Sequence, residues 1–379
     1  SFSEEGVQEV SNGSFSQESS ELVTNGDFSN GTTDWQVEGS SSIVVGDFKG
    51  KTDVAKININ NVSSGSRIRQ PFNYVSGKTY KVDIEVYVES GNFRADCSDS
   101  FVSGDFVSTS TLGSWQTLTA YITAISTGSN YIWLRSISSV SEFYVSNVSV
   151  REVGQDWTLG TGWSIAEDKA TFDETIGGAG DIVQNSILTS GKSYKLTFDT
   201  LETNGGNLAY KLGGGYTFIS NIQANTTHTV CGVAGGSQFA LRGASDFIGS
   251  ITNISVKEVG QNWTLGASWS IGNNKATRLT SVDWGLDQAI SSAVNGRTYR
   301  VTTEITDYTS GILRLALGSG GTVNNIGSAL GVYVNEFVWD GTSGSIIRYQ
   351  GNFIGSITNI SIIEITDDTN LPRINYEGF

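Results

Sequence analysis

Asp246-Phe-Ile-Gly-Ser-Ile-Thr-Asn-Ile-Ser255 recurs as Asn352-Phe-Ile-Gly-Ser-Ile-Thr-Asn-Ile-Ser361, and Glu152-Val-Gly-Gln-Asp-Trp157 recurs as Glu258-Val-Gly-Gln-Asn-Trp263. Both pairs are offset by 106 residues (352 − 246 and 258 − 152). A constant offset over most of such a length marks a duplicated domain rather than two similar turns. A diverged third copy stands upstream. Gly77-Lys-Thr-Tyr-Lys-Val-Asp-Ile-Glu-Val86 matches Gly191-Lys-Ser-Tyr-Lys-Leu-Thr-Phe-Asp-Thr200 and Gly296-Arg-Thr-Tyr-Arg-Val-Thr-Thr-Glu-Ile305, and each follows a glutamine (Gln70, Gln184, Gln288). The copies also close alike, on Ser146-Asn-Val-Ser-Val150, Thr252-Asn-Ile-Ser-Val256 and Thr358-Asn-Ile-Ser-Ile362. Modules are therefore expected at 21–153, 154–259 and 260–366, with a Ser/Glu-rich N-terminal connector at 1–20 and a C-terminal connector at 367–379.

Within the shared strand Tyr80, Val82, Ile84 and Val86 alternate with Lys81, Asp83 and Glu85, a period of two that specifies a half-buried β-strand. Gln116–Ile122 and Tyr131–Arg135 alternate in the same way, and no window of comparable length carries apolar residues at helical spacing. Asn25-Gly26, Asn204-Gly205 and Asn295-Gly296 offer the positive φ that tight turns need. Short strands, polar turns and about a hundred residues per copy predict an all-β chain of three tandem antiparallel β-sandwich modules, most simply jelly rolls.

The 379 residues suffice for three separate cores. A net charge of −15 argues against nucleic acid as a partner, because phosphate contacts need a clustered basic footprint. Cys97 and Cys231 occupy non-equivalent places in different modules, so two free thiols are expected rather than a disulfide framework. No apolar run approaches the roughly 20 residues that span a bilayer, so no membrane insertion is expected. The chain opens on Ser1 without an initiator methionine, as a processed product or part of a longer polypeptide would.

Module one opens with Glu21-Leu-Val-Thr-Asn-Gly-Asp-Phe-Ser-Asn-Gly-Thr-Thr-Asp-Trp35, and Glu9-Val-Ser-Asn-Gly-Ser-Phe-Ser16 echoes it. With the Gln ahead of Gly-Lys-Thr-Tyr, Gly113-Ser-Trp-Gln-Thr-Leu118 and the closing Ser-Asn-Val-Ser-Val, this resembles the jelly-roll carbohydrate-binding modules attached to xylanases and glucanases. The tandem Gly-Gln-x-Trp-Thr-Leu-Gly-x-x-Trp-Ser-Ile segments and the closing Asn370-Leu-Pro-Arg-Ile-Asn-Tyr376 resemble bacteriophage virion fibre and appendage proteins. The resemblance implies an exposed structural and adhesive part of a phage particle, with host or environmental glycan and other virion proteins as partners. It implies a homo-oligomer, a trimer by expectation, at the virion surface. The rival expectation is a non-catalytic carbohydrate-binding region of a secreted bacterial enzyme or adhesin, and a third is a spacer without a ligand. Related carbohydrate-binding modules hold a structural calcium through a carboxylate at the position of Asp27, so calcium is a candidate in module one, although Asn147 stands where a closing aspartate would complete the site. No cofactor is required.

Alternation also sorts surface from core in module one. If Val82, Ile84, Leu118, Ala120, Ile132 and Leu134 point inward, then Asp83, Glu85, Tyr121, Tyr131, Trp133 and Arg135 point outward. On one face these would form a sugar platform, with rings stacking on pyranose faces and charged groups binding hydroxyls. The platform requires that these strands share one sheet. Arg242 and Arg348 match Arg135, whereas Ala240 and Ile346 replace Trp133, so the arginine is expected to be structural in all copies. Trp35, Trp157, Trp163, Trp263 and Trp269 recur near module starts and are expected in the cores. His228, the only histidine, has no counterpart in the other modules, so no recurring triad or paired-His metal motif exists, and the chain is not expected to be an enzyme. Asp83 and Glu85 have the same-face spacing of a glycosidase pair, but acidic residues on a strand face are ordinarily just solvated.

Overall fold

The computed structural model describes residues 2, 4–61, 65–97, 101, 107–137, 140–173, 175, 178–219, 222–244, 247–266, 268–281 and 285–365. Among them the chain is all-β. Six antiparallel sheets lie in pairs around three large hydrophobic clusters.

In the first sandwich one sheet runs, in spatial order, Ser41–Phe48, Lys51–Ile59, Ser141–Val153, Thr79–Ser90 and Trp115–Thr123. The facing sheet runs Gln36–Glu38, Arg67–Tyr74, Gly128–Arg135, Phe93–Cys97 and Val107–Thr109. The second sandwich repeats this order as Trp163–Ala166, Lys169–Asp173, Ile248–Val259, Ser193–Thr203 and Thr226–Val233 against Thr158–Leu159, Gly180–Gln184, Phe239–Gly243, Leu208–Leu212 and Tyr216–Ile219. The third repeats it as Trp269–Gly272, Lys275–Arg278, Ile354–Glu364, Thr298–Ser310 and Gly331–Val338 against Trp263–Leu265, Leu286–Ala289, Ile346–Gly351, Leu313–Leu317 and Val323–Gly327. Identical order in all three makes them copies of one jelly-roll fold. The alternation is realised as read: Tyr80, Val82, Ile84 and Val86 are buried, and so are the five tryptophans of the module starts.

The N-terminal residues depart from the expected connector. Val10-Ser-Asn-Gly-Ser-Phe15 and Val23-Thr-Asn-Gly-Asp-Phe28 are one unit repeated 13 residues apart (28 − 15), and each is the opening segment of a different sandwich. Phe28 stacks on Trp35 of the first sandwich (centroids 5.3 Å), whereas Phe15 packs on Trp157 of the second (5.4 Å). The Trp35 Nε1 donates to the Asn25 carbonyl, and the Trp157 Nε1 to the Asn12 carbonyl, both at 3.0 Å. Gln70 clamps the Thr24 backbone from both sides (2.7 Å each), and Gln184 does the same to Ser11 (3.0 and 2.6 Å). The Val148 amide donates to the Gly26 carbonyl and the Ile254 amide to the Gly13 carbonyl. These glycines are there for close approach rather than for a hairpin turn. A Cβ on Gly26 would lie 2.0 Å from the Val148 carbonyl oxygen, and one on Gly13 as close to that of Ile254.

Glu5–Gln8 is accordingly a strand of the second sandwich, pairing Glu5 with Val259 and Gln8 with Lys257, just as Glu18 bridges to Val153 in the first. Glu5 binds Lys195 and Lys257; Glu18, 13 residues on, binds Lys81 and Arg151. The whole first sandwich is thus inserted between the opening segment of the second and the remainder of it. Phe2, 13 residues before Phe15, already packs on Trp263 of the third (5.2 Å).

The joints repeat as well. The chain leaves each closing strand through Gly154 or Gly260, both at φ +67°, where a Cβ would strike Ile165 or Ile271 at 2.3 Å. Trp163–Ala166 then packs on Thr79–Ser90 and Trp115–Thr123, and Trp269–Gly272 packs on Ser193–Thr203 and Thr226–Val233. The Ile271 amide donates to the Ser193 hydroxyl across the second joint (3.1 Å). Three residues (154–156 and 260–262) separate each closing strand from the next tryptophan, too few for a flexible linker.

Phe15 offers a direct check on the insertion. Phe15→Ala should destabilise the second sandwich by about 3–5 kcal/mol through a cavity beside Trp157. Hydrogen exchange should accelerate across Lys169–Asp173 and Ile248–Val259 and stay unchanged in Lys51–Ile59. Acceleration in the first sandwich instead would contradict the assignment.

Candidate functional site

The strand Gly128–Arg135 lies between Arg67–Tyr74 and Phe93–Cys97, and register sets the residues on its outer side. Trp133 stands opposite Arg69 and Asp96, and Arg135 opposite Arg67 and Arg94. The Arg67 guanidinium sits 4.2 Å from the Trp133 ring centre, and that of Arg69 sits 3.9 Å from the Tyr131 ring centre, within cation–π range. Glu38 pairs with both Arg67 and Arg69. On the far side Asp96, whose side chain is buried, pairs with both Arg94 and Arg135. The result is a ladder of four guanidinium groups and two carboxylates around two half-buried rings. The indole N–H of Trp133 is buried and has no hydrogen-bond partner among the described residues.

The single platform expected from the sequence is divided. Tyr131, Trp133 and Arg135 lie on one sheet, but Asp83, Glu85 and Tyr121 lie on the facing one, with Tyr121 opposite Lys81 and Asp83 opposite Thr119. Outward-pointing side chains on opposed sheets point apart, so no one ligand touches both sets. Tyr121 packs against the hydrophobic cluster of the second sandwich, which makes it part of the joint. Asp83 accepts from Thr119 and pairs with Lys81; Glu85 pairs with Lys51 and accepts from Ser146. Burial alone would raise the Glu85 carboxyl, but Lys51 and Ser146 outweigh it and hold it below the ordinary range. A glycosidase acid needs the opposite shift.

The same outer face carries an aromatic cluster that alternation did not reveal. Phe48 stacks on Tyr144 (centroids 3.5 Å), with Tyr87 and Trp115 edge-on beside it, and Lys49, Lys51 and Lys56 lie over these rings. Tyr87 and Tyr144 are buried although they point away from the main core, because the hairpin carrying Phe48 folds over them. The signal was present as aromatic residues on adjacent strands, but its hairpin cover was not legible.

In the other two sandwiches the shared arginine is structural. Arg242 forms a two-pronged pair with Asp181 (2.6 and 3.0 Å), while Arg348 does so with Asp287. Register places Arg67 of the first sandwich where those aspartates stand. Asp181 is pushed up by burial and pulled further down by Arg242 and Tyr216, so its net position is below the ordinary carboxylate range. Tyr216, desolvated and donating to that carboxylate, is pushed up to about 12.

Asp27 accepts from the amide and hydroxyl of Ser29 in a local turn (3.2 and 2.9 Å), which lowers its carboxyl. Among the described residues no group of three or more acidic, His or Cys side chains comes together. One exposed carboxylate already engaged by a serine does not fit a cation that takes six to eight oxygens. His228 stacks on Phe198 (5.1 Å) and shares a hydrogen bond with Thr200, whose hydroxyl also reaches two carbonyls; this is a packing contact. No helix of the described residues is long and apolar enough to cross a membrane.

The sequence matches no protein-family model and no curated protein. Solved structures similar to the chain include the N-terminal CBM22-1–CBM22-2 tandem domain from Paenibacillus barcinonensis Xyn10C, at 8% identity and TM-score 0.31, covering 64% of this chain and 98% of that one. A CBM4 structure is similar at 18% identity and TM-score 0.26 over 38% of this chain and 99% of that one. A chain of Sulfolobus Turreted Icosahedral Virus is similar at 14% identity and TM-score 0.20 over 85% and 91%.

The arginine pair has a pH signature. Because the folded-state pKa of Asp181 is depressed, its contribution is present above the unfolded carboxylate pKa of about 4 and disappears as pH falls through the lower folded value. Asp181→Asn should therefore cost about 1.5–3 kcal/mol at pH 7. In chemical unfolding followed by pH, the difference from the parent protein should shrink below pH 4; a difference that stays constant down to pH 2 would contradict the pairing.

Proposed function

We propose that the chain is an exposed structural and adhesive component of a phage particle, of fibre or appendage type, that binds glycan weakly through the outer face of its first sandwich. The observation that supports this reading is the ladder around Tyr131 and Trp133. In the third sandwich the equivalent face holds the Asp287–Arg348 pair, and in the second the Asp181–Arg242 pair with Tyr216 and Lys211 beside it, whereas in the first the aspartate position is Arg67 and the face gains the Tyr131 and Trp133 rings and two further arginines, Arg69 and Arg94. Four guanidinium groups against Glu38 and Asp96 leave a local excess of two positive charges (4 − 2) on a chain of net charge −15. A face that is cationic and aromatic on an otherwise acidic protein suits an acidic sugar, whose carboxylate takes a guanidinium fork while its apolar ring face lies on an aromatic ring.

Each ring contributes on the order of 1 kcal/mol, so a single site is weak, and many copies on one surface raise avidity through effective concentration. Assembly with other virion proteins and with further copies of the chain, as a trimer, belongs to the same proposal. The same face would serve a non-catalytic carbohydrate-binding region of a secreted bacterial enzyme or adhesin.

The test uses the whole chain on immobilised acidic and neutral polysaccharides. Arg67→Gln and Trp133→Ala should each weaken binding to acidic polysaccharide about tenfold, with Arg67→Gln leaving thermal unfolding within a few degrees of the parent, and binding should fall with added salt. Undiminished binding by both variants would remove the face from the function. Equal binding to neutral and acidic polymers would remove the acidic specificity.

A further inference from the structure

The third sandwich carries the receptor for an opening segment, but the residues that fill it in its siblings have no counterpart among the described residues. In the first two sandwiches the tryptophan indole donates to the carbonyl of Asn25 or Asn12, three residues before the phenylalanine that packs on it. In the third, Phe2 packs on Trp263 in the same way, yet the buried Nε1 of Trp263 has no acceptor among the described residues. Gln288 is the counterpart of Gln70 and Gln184, which are buried and clamp a backbone from both sides; Gln288 is half-buried, and its side chain has no hydrogen-bond partner among the described residues.

The closing strand shows the same contrast. Val148 and Val150, and Ile254 and Val256, are buried beneath their opening segments; their counterparts Ile360 and Ile362 are only half-buried. The amides of Ile254 and Val256 are taken by the Gly13 carbonyl and the Gln8 side chain, those of Val148 and Val150 by Gly26 and Glu21. An orphan indole, an idle glutamine and two half-exposed isoleucines line one strip of sheet edge ending at Phe2.

We infer that this strip is a strand-binding site. Its occupant is an extended segment of the 13-residue unit's chemistry, Gln/Glu-x-Val-Ser/Thr-Asn-Gly-x, running directly into Phe2. Phe2 fixes the register: the asparagine carbonyl falls on the Trp263 indole, the glycine lies where no Cβ fits against the closing strand, the valine covers Ile360 and Ile362, and the residue beside the asparagine enters the Gln288 clamp. Binding is by backbone addition to a sheet edge, with the indole and the phenylalanine setting position.

The experiment attaches Gln-Glu-Val-Ser-Asn-Gly-Ser, the sequence of residues 8–14, directly ahead of Phe2 in place of Ser1. Hydrogen exchange at the Ile360 and Ile362 amides should slow by at least about tenfold, the level at which a protected edge is distinguished from a fraying one. The Trp263 indole proton should shift, and the extended protein should keep the oligomeric state of the parent. An extension of equal length with valine replaced by aspartate and Asn-Gly by Ala-Ala should do none of this. Unchanged exchange with the matching extension, equal protection with both extensions, or protection only in a dimer would each overturn the inference.

Discussion

One contact closes the first two sandwiches: an indole donates to an asparagine carbonyl while its ring receives the phenylalanine three residues on. Trp35 with Asn25 and Phe28, and Trp157 with Asn12 and Phe15, build it in the same backbone conformation, with Asn12 and Asn25 at φ +47° and +50° and Phe15 and Phe28 at +59° and +56°. Positive φ at a phenylalanine is costly and persists only where surroundings over-determine it. Here the ring, the glutamine clamp and the glycine carbonyl do so together. Everything else in the architecture follows from which tryptophan each unit reaches.

Because the units stand in a string at the N-terminus while the sandwich bodies follow in sequence, the contacts cross. Asn12 and Trp157 are 145 residues apart, and Gln8 and Val256 are 248. Loop-closure entropy grows only logarithmically, about 0.6 kcal/mol for each doubling, so the arrangement is thermodynamically tolerable. Kinetically, contacts of such high sequence separation slow the closure of the second sandwich. The ion pairs of Glu5 with Lys195 and Lys257, and of Glu18 with Lys81 and Arg151, hold each unit against the closing strand of its own sandwich and the strand beside it.

Sequence reading went furthest where information is local or repeated. The 106-residue offset exposed the duplication, period-two alternation placed Tyr80, Val82, Ile84 and Val86 inside, and recurrence put the tryptophans in the cores. The echo of Glu9–Ser16 in Glu21–Phe28 was visible, yet nothing in a single sequence says that a unit skips the adjacent sandwich to open the next. The platform failed for a related reason. Alternation fixes a side chain's direction relative to its own sheet, not which sheet the strand joins, and Trp115–Thr123 and Gly128–Arg135, neighbours in sequence, belong to facing sheets. Arg67, Arg69 and Arg94 were missed because their role lies in cross-strand register with Trp133 and Arg135.

The most direct measurement of the crossed connection is a disulfide trap in a background where Cys97 and Cys231 are replaced by serine. Antiparallel partners bring Cα atoms to about 4.5–5.5 Å, within disulfide reach. Glu5→Cys combined with Val259→Cys should oxidise readily within one chain, as mass spectrometry of the digested monomer would show, while Glu5→Cys combined with Val153→Cys should stay reduced. Preferential closure of Glu5→Cys on Val153→Cys, or linkage only between two chains, would mean that the opening segments serve other sandwiches than those described.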